Sequence, residues 1–299
     1  MARKPGLKVL LSVAALGLIW GLNWPAVKTM LSEIPPFTIR AVAMTFAAVI
    51  LGGILIIARV PMRAPRDEIL PLVGTGLLVV FGFNVLVTFG QQLTETASAT
   101  IIAFTMPALT CLFAAVLLRE RLEVRHQIAV MLATCGILTL ASQDIAGLLA
   151  SPLGPLLVLG SAISWALGNV AAKARQWTLS PIAMAVWFLG ASATACWPFV
   201  LVFEPLSGQA VPSVKVAIVM AFHIAGPMIL GYVLFNLLVI NLSASIAAIA
   251  TLLTPFVGVS SAIILLGDPF TWQKVVALAL ILGSIVMTFA FRAPARQPP

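Results

Sequence analysis

MARKPGLKVLLSVAALGLIWGLNWPAVKTML, residues 1–31, joins a basic head to a long apolar run with no small-residue cleavage site after it. A secretory leader has an apolar segment of about 7–15 residues. Here the run extends from Lys8 to Leu31, enough helix to cross a hydrocarbon core of about 30 Å. It reads as an uncleaved first membrane span, entered from the side that holds Arg3, Lys4 and Lys8.

The rest of the chain repeats this character. Of 299 residues 61% are hydrophobic and only 9% charged, with a mean hydropathy of +1.12. Soluble domains carry about 25% charged residues, so a water-soluble enzyme is excluded. Charged and proline-rich breaks delimit ten spans, at 8–31, 36–58, 68–90, 96–118, 124–143, 153–174, 181–203, 214–240, 244–266 and 272–291. The fold class is an all-α integral membrane protein, with connections too short for an extramembrane domain.

A net charge of +8 would suggest nucleic acid in a soluble chain. With ten alternating spans it becomes an orientation. Arg3, Lys4, Lys8, Arg59, Arg63, Arg66, Arg119, Arg121, Arg125, Lys173, Arg175, Arg292 and Arg296 fall on one side. Only Lys28, Arg40, Lys215 and Lys274 fall on the other. Cytoplasmic loops hold the excess of Lys and Arg, so both termini are expected in the cytoplasm and no nucleic-acid partner is implied.

The charge-poor loop 143–152 divides the chain into halves of five spans, 1–145 and 152–299. An odd number of spans makes the second half enter the membrane upside down, as in many secondary transporters. Laying residues 93–120 over 241–268 pairs Pro107 with Pro255, Leu117-Leu118 with Leu265-Leu266 and Glu120 with Asp268. Six of the 28 pairs are identical, including Ala99/Ala247, Ile101/Ile249 and Ala114/Ala262, against about three expected from so apolar a composition.

Two inverted five-helix halves, the first-span motif Trp20-Gly21-Leu22-Asn23-Trp24 and a proline within spans four and nine resemble the drug/metabolite transporter superfamily, and within it the EamA-type permeases. That family usually shows Gly-Glu after spans four and nine; here Arg119-Glu120 lacks the glycine and Gly267-Asp268 keeps it. The chain most resembles the YddG-type exporters of aromatic amino acids. The resemblance implies a ten-helix basket in a bacterial inner membrane, carrying amino acids outward through a central cavity by alternating access.

Polar and aromatic residues at mid-depth are the site candidates, because lipid offers them no partners. They are Trp20 and Asn23 in span one, Phe81 and Asn84 in span three, Trp165 and Asn169 in span six, and His223, Tyr232 and Asn236 in span eight. An amide can accept from an ammonium and donate to a carboxylate, and a Trp face attracts cations. A small zwitterionic metabolite suits such a set. The Asn residues equally suit packing between helices. Trp24, Trp177, Trp187, Trp197 and Trp272 read as interface belt, and Lys28 and Lys173 as snorkelling helix ends. Pro25, Pro107, Pro227 and Pro255 are candidate hinges, or static kinks.

Other classes have less to stand on. Three scattered cysteines and two distant histidines supply no metal set or catalytic constellation, so no metal, cofactor or intramembrane enzyme is expected. A broad drug/metabolite efflux carrier is the alternative transporter. All nine acids lie at span ends or in loops, which leaves His223 as the titratable candidate within the membrane. The partners expected are the lipid bilayer and a small substrate, and a monomeric carrier fits. A fluorescent protein fused after Pro299 should light up in cells, and alkaline phosphatase fused there should stay inactive. The reverse pair would place the C-terminus outside.

Overall fold

The computed structural model describes residues 7–120, 122–234 and 244–289 and is helical throughout them apart from short connections. Asn236, Arg3, Lys4, Arg121, Arg292 and Arg296 lie outside the described residues. The membrane helices are α1 (Leu7–Met30), α2 (Pro36–Ile57), α3 (Arg66–Leu93), α4 (Thr96–Leu117), α5 (Val124–Ala141), α6 (Leu153–Lys173), α7 (Pro181–Phe203), α8 (Val214–Leu234), α9 (244–266) and α10 (Trp272–Phe289). From α2 to α8 each offers 18 or more residues of apolar helix; α9 and α10 carry shorter apolar stretches, Leu253–Leu266 and Trp272–Met287. The α5–α6 connection, expected as a plain loop, contains a short helix, Ile145–Ala150.

Packing follows an exchange rule between the halves. Helix α2 packs on α7 and α5 on α10, each against its own counterpart. Helix α1 packs on α9 as α6 packs on α4, and α3 packs on α6 as α8 packs on α1. Each of these contacts has a partner five helices further along the chain, as a repeat of two five-helix halves generates.

Lipid tails are as apolar as leucine, so no hydrophobic force presses these helices together; close backbone approach through small residues does. A Cβ on Gly17 would stand 2.6 Å from Leu253 Cδ2, and one on Gly21 2.5 Å from Val257 Cβ. The Gly17–Gly21 pair is therefore the seat of α9 on α1. Between α3 and α6, a Cβ on Gly90 would stand 2.5 Å from Val158 Cγ2, and one on Gly168 2.8 Å from the backbone nitrogen of Val79.

Two devices recur in equivalent helices of the two halves, at or within one residue of the 148-residue separation of Glu120 from Asp268. The first is a π-helical segment inside a span, Leu77–Gly82 in α3 and Ile224–Leu230 in α8. The Gly226-Pro227 step, expected to break span eight, is absorbed by the second of these. Proline there lacks an N–H, and the wider turn accommodates it without ending the helix. The other device is the turn that closes α4 and α9. Arg119 and Gly267 both take left-handed backbone, φ +55° and +75°. The following residues, Glu120 and Asp268, both donate to a carbonyl six residues back, Ala114 O and Ala262 O, at 3.4 Å.

The two prolines of the repeat behave differently. Pro255 lies inside α9. Pro107, expected within a continuous span, instead starts the second segment of α4, after an interruption at Phe104-Thr105. The first helical turn is where proline fits without losing a bond.

The left-handed turn at Arg119 costs about 1 kcal/mol that glycine would not. Arg119→Gly should raise the unfolding free energy by about 1 kcal/mol, and Gly267→Ala should lower it by at least as much. Thermal melts of the two purified variants in detergent check both signs.

Candidate functional site

The inner face is taken as the one bearing the start of α1, the outer face as its opposite. Toward the outer side, α1, α2, α3 and α8 bring together a chain of polar side chains. Asn84 Nδ2 donates to Val80 O at 2.8 Å, a carbonyl inside the π segment of α3. Thr88 Oγ1 donates to Asn84 O at 2.6 Å and accepts from Arg40 Nε at 2.5 Å. Arg40 Nη1 stands 3.2 Å from His223 Nε2, and His223 Nδ1 stands 2.5 Å from Asn23 Oδ1. Arg40 is 1% exposed, Thr88 and His223 are fully buried, and Asn23 is half-buried.

The donors settle the imidazole's state. A guanidinium has five N–H groups and no acceptor, so His223 Nε2 must receive its bond and carries no proton. The Nδ1–H then donates to Asn23 Oδ1. His223 is thus the neutral Nδ1–H tautomer wedged between a cation and an amide, and Asn23 keeps its Nδ2 donors and the second lone pair of Oδ1 for a ligand.

Depth follows from helical rise, about 1.5 Å per residue. Arg40 is four residues into α2 and His223 nine into α8, or about 6 and 14 Å below the outer helix starts. Trp20 flanks the cluster; its Nε1 donates to Pro227 O at 3.2 Å, in the π segment of α8, and its indole lies against Gly231. Half-buried Tyr232 lies on α8 in the neighbourhood of Arg40. Trp20, Asn23, Asn84, His223 and Tyr232, singled out in the sequence, therefore gather around Arg40 and Thr88, which were not. Arg40 was counted among the few outer-face cations; its place is inside the bundle. The available signal was its position four residues past the Pro36 start, where a span-end cation is already too deep.

The other candidates lie elsewhere. Phe81, marked with Asn84 as a span-three candidate, joins an aromatic group with Phe199 at 5.9 Å between ring centres. The π segment widens the turn between them, so the three-residue spacing does not align their faces. Trp165 packs edge-on to Phe83 at 5.0 Å, and Asn169 Nδ2 donates to Trp165 O at 2.8 Å on its own helix. On α6 the residue that answers Trp20 is Ser164, whose Oγ donates to Leu78 O at 2.7 Å in the π segment of α3. Pro25, the candidate hinge of α1, and Trp24, expected in the interface belt, are both buried. Trp24 belongs to the core with Phe104 at 6.1 Å, because Gly258 lets α9 come close beside it.

The outer end above the cluster is tied by side chains that satisfy helix termini. Lys28 Nζ, expected to snorkel, donates to Gln91 O and to Thr94 O at the end of α3, the latter at 3.2 Å. Glu204 accepts from the Phe37 and Thr38 amides at 3.0 and 2.7 Å, completing the start of α2. Asp268 accepts from the Ala97 amide at 2.7 Å, and Glu33 from the Ser213 amide and hydroxyl at 2.6 and 2.7 Å. Lys274, another presumed surface cation, is fully buried at the side chain and paired with Glu95 at 2.6 Å. On the inner side Lys173 and Arg175 make exposed pairs with Glu120 and Asp67. Among the described residues no group of three or more metal-ligating side chains occurs.

Comparison with known proteins bears on what such a bundle does. The sequence profile described as the EamA-like transporter family matches residues 7–142 and again 152–290. A protein of Bacillus subtilis (strain 168) described as uncharacterized transporter YoaV is 26% identical over 290 residues, covering 95% of this chain and 98% of its own. A protein of Salmonella typhimurium strain LT2 described as a probable amino-acid metabolite efflux pump is 28% identical over 307 residues, covering 98% and 97%. A solved structure titled only as the crystal structure of a protein superposes with a TM-score of 0.66 at 20% identity, covering 94% of this chain and 96% of that one.

Glu33 gives the outer ties a pH dependence. The Ser213 backbone bond, and then its hydroxyl, hold the Glu33 carboxyl below the usual glutamate value. A carboxyl depressed on folding contributes stability above its unfolded value, about 4.3, and loses it as pH falls through the folded one. Thermal stability in detergent should therefore decline on acidification below that value, and Glu33→Gln should show a shallower decline.

Proposed function

The chain belongs to the EamA-like transporter family, and on that premise we propose that it exports neutral amino acids, aromatic ones included, across a bacterial inner membrane with both termini in the cytoplasm. It is a multi-pass membrane transporter, not an enzyme. The observation that carries the finer reading is the polar cluster of Asn23, Arg40, Thr88 and His223, in which side chains from four helices converge around a buried guanidinium and imidazole. Placing such groups in lipid is costly, and proteins that do so use them. The rim formed by Trp20, Asn23 and Tyr232 presents two aromatic rings and an amide, which together complement an amino acid's ammonium and side chain.

Alternating access in this reading is a rocking of the two halves across their exchange-related contacts. Residues 1–145 and 152–299 are the proposed moving units. Pro25, Pro107, Pro227 and Pro255 are the proposed sites of flexure, Pro227 with the π segment around it. The Salmonella relative's description as an amino-acid metabolite efflux pump supports the direction and substrate class. Trp165 and Asn169 on α6 serve this reading as the second wall of the cavity.

Counterflow in proteoliposomes tests it. Internal unlabelled phenylalanine, leucine or threonine should drive accumulation of labelled phenylalanine. Asn23→Ala should reduce the rate about tenfold, because an unsatisfied buried Nδ1–H costs roughly 1–3 kcal/mol. Counterflow confined to sugars or cationic drugs, or an undiminished Asn23→Ala rate in a folded protein, would defeat the proposal.

A further inference from the structure

Among the described residues, the enclosed or half-enclosed cations Lys274 and Lys28 each have an acid or a helix end beside them, and Arg40 has neither. Buried Lys274 has Glu95 at 2.6 Å, and Lys28 has the carbonyls that end α3. Arg40 is enclosed at 1% exposure, and its hydrogen-bonded partners are a threonine hydroxyl and a neutral imidazole. Neither carries negative charge. The acid that reaches the start of α2, Glu204, spends its oxygens on Phe37 and Thr38, and Glu33 spends its own on Ser213. An enclosed guanidinium without a counter-ion is costly to desolvate.

We infer that Arg40 is the carboxylate receptor of the transport site, and that the substrate's own carboxylate is the counter-ion the protein omits. This deepens the amino-acid reading and rests on it for the identity of the substrate. The guanidinium is the side chain whose planar N–H fork matches a carboxylate in two parallel bonds. Thr88 fixes its Nε edge, which leaves the Nη edge to face an incoming anion. That edge is the one now spent on His223 Nε2. A carboxylate arriving past Asn23 and Tyr232 would take over the imidazole's place as acceptor, and charge-assisted bonds are roughly twice as strong as neutral ones.

The same exchange couples binding to structure. Arg40 through Thr88 ties α2 to α3, and through His223 and Asn23 it ties both to α8 and α1. A substrate carboxylate on the Nη edge releases the second tie and keeps the first. Occupied and empty states then differ in whether α1–α8 is latched to α2–α3.

Binding to the full-length protein in detergent, followed by calorimetry with L-phenylalanine and with L-phenylalaninamide, separates the possibilities. Wild type should bind the acid at least tenfold more tightly than the amide. Arg40→Gln should bring the two within about twofold by weakening the acid alone, and Arg40→Lys should keep part of the preference. Equal affinities in wild type, or a preference that survives Arg40→Gln, would overturn the inference. So would an Arg40→Gln effect that weakens acid and amide alike, which marks a residue that only holds the helices. If Arg40→Gln does not fold, the acid-to-amide ratios of wild type and Arg40→Lys decide. Should wild type bind no amino acid, acetate and pyruvate are the next probes. Arg40-dependent binding of those would end the amino-acid reading and keep the receptor, and no carboxylate binding at all would end both.

Discussion

Hydrocarbon supplies no hydrogen bonds, so every backbone N–H and C=O within the membrane must find its partner in protein. Most of this fold is an answer to that demand. Regular helix satisfies the interior of each span, and the difficulties concentrate at helix starts, helix ends and the wider turns of the π segments. Glu33, Glu204 and Asp268 each supply acceptors to the first amides of a different helix or its approach. Lys28 supplies donors to the last carbonyls of α3. Because each of these bonds joins two helices, satisfying the backbone also assembles the bundle.

The π segments put this to use. A wider turn leaves carbonyls turned away from the regular ladder. In α3 those of Gly76, Leu78 and Val80 are met by Ser192, Ser164 and Asn84. In α8 the Pro227 carbonyl is met by Trp20. In both halves a polar side chain from the first helix of one repeat reaches into the third helix of the other. The candidate site grows from the α3 arrangement, as Asn84 leads through its carbonyl to Thr88 and from there to Arg40 and His223. A backbone irregularity and a binding site are thus parts of one hydrogen-bonded structure.

Much of the architecture was legible in the residues. The spans were marked by apolar length, and they match α1 to α10 to within a few residues over most of their edges. The weak identity between 93–120 and 241–268 became concrete at Arg119 and Gly267, whose left-handed turns close equivalent helices. Asn23 and His223 were both marked as candidates, and the structure joins them by a hydrogen bond. Arg40 and Lys274 were misplaced because charge counting assigns a cation to the nearer membrane surface. It has no means of seeing a threonine, an imidazole or a carboxylate that another helix brings to it. Phe81 and Asn84 were marked together by depth and residue type, which do not reveal that a π segment separates their surroundings.

The amino-acid order by itself determined that this is a ten-helix membrane protein in two halves, since apolar length, proline and charge act locally along the chain. Which polar groups meet is a different kind of fact. Asn23 and His223 are 200 residues apart, and Arg40 and His223 are 183 apart. Only the inverted packing of α1, α2, α3 and α8 decides that they share a site. Tertiary structure also turns Arg40 from a surface charge into an enclosed one, because an ion's energy depends on what surrounds it and not on its neighbours in sequence.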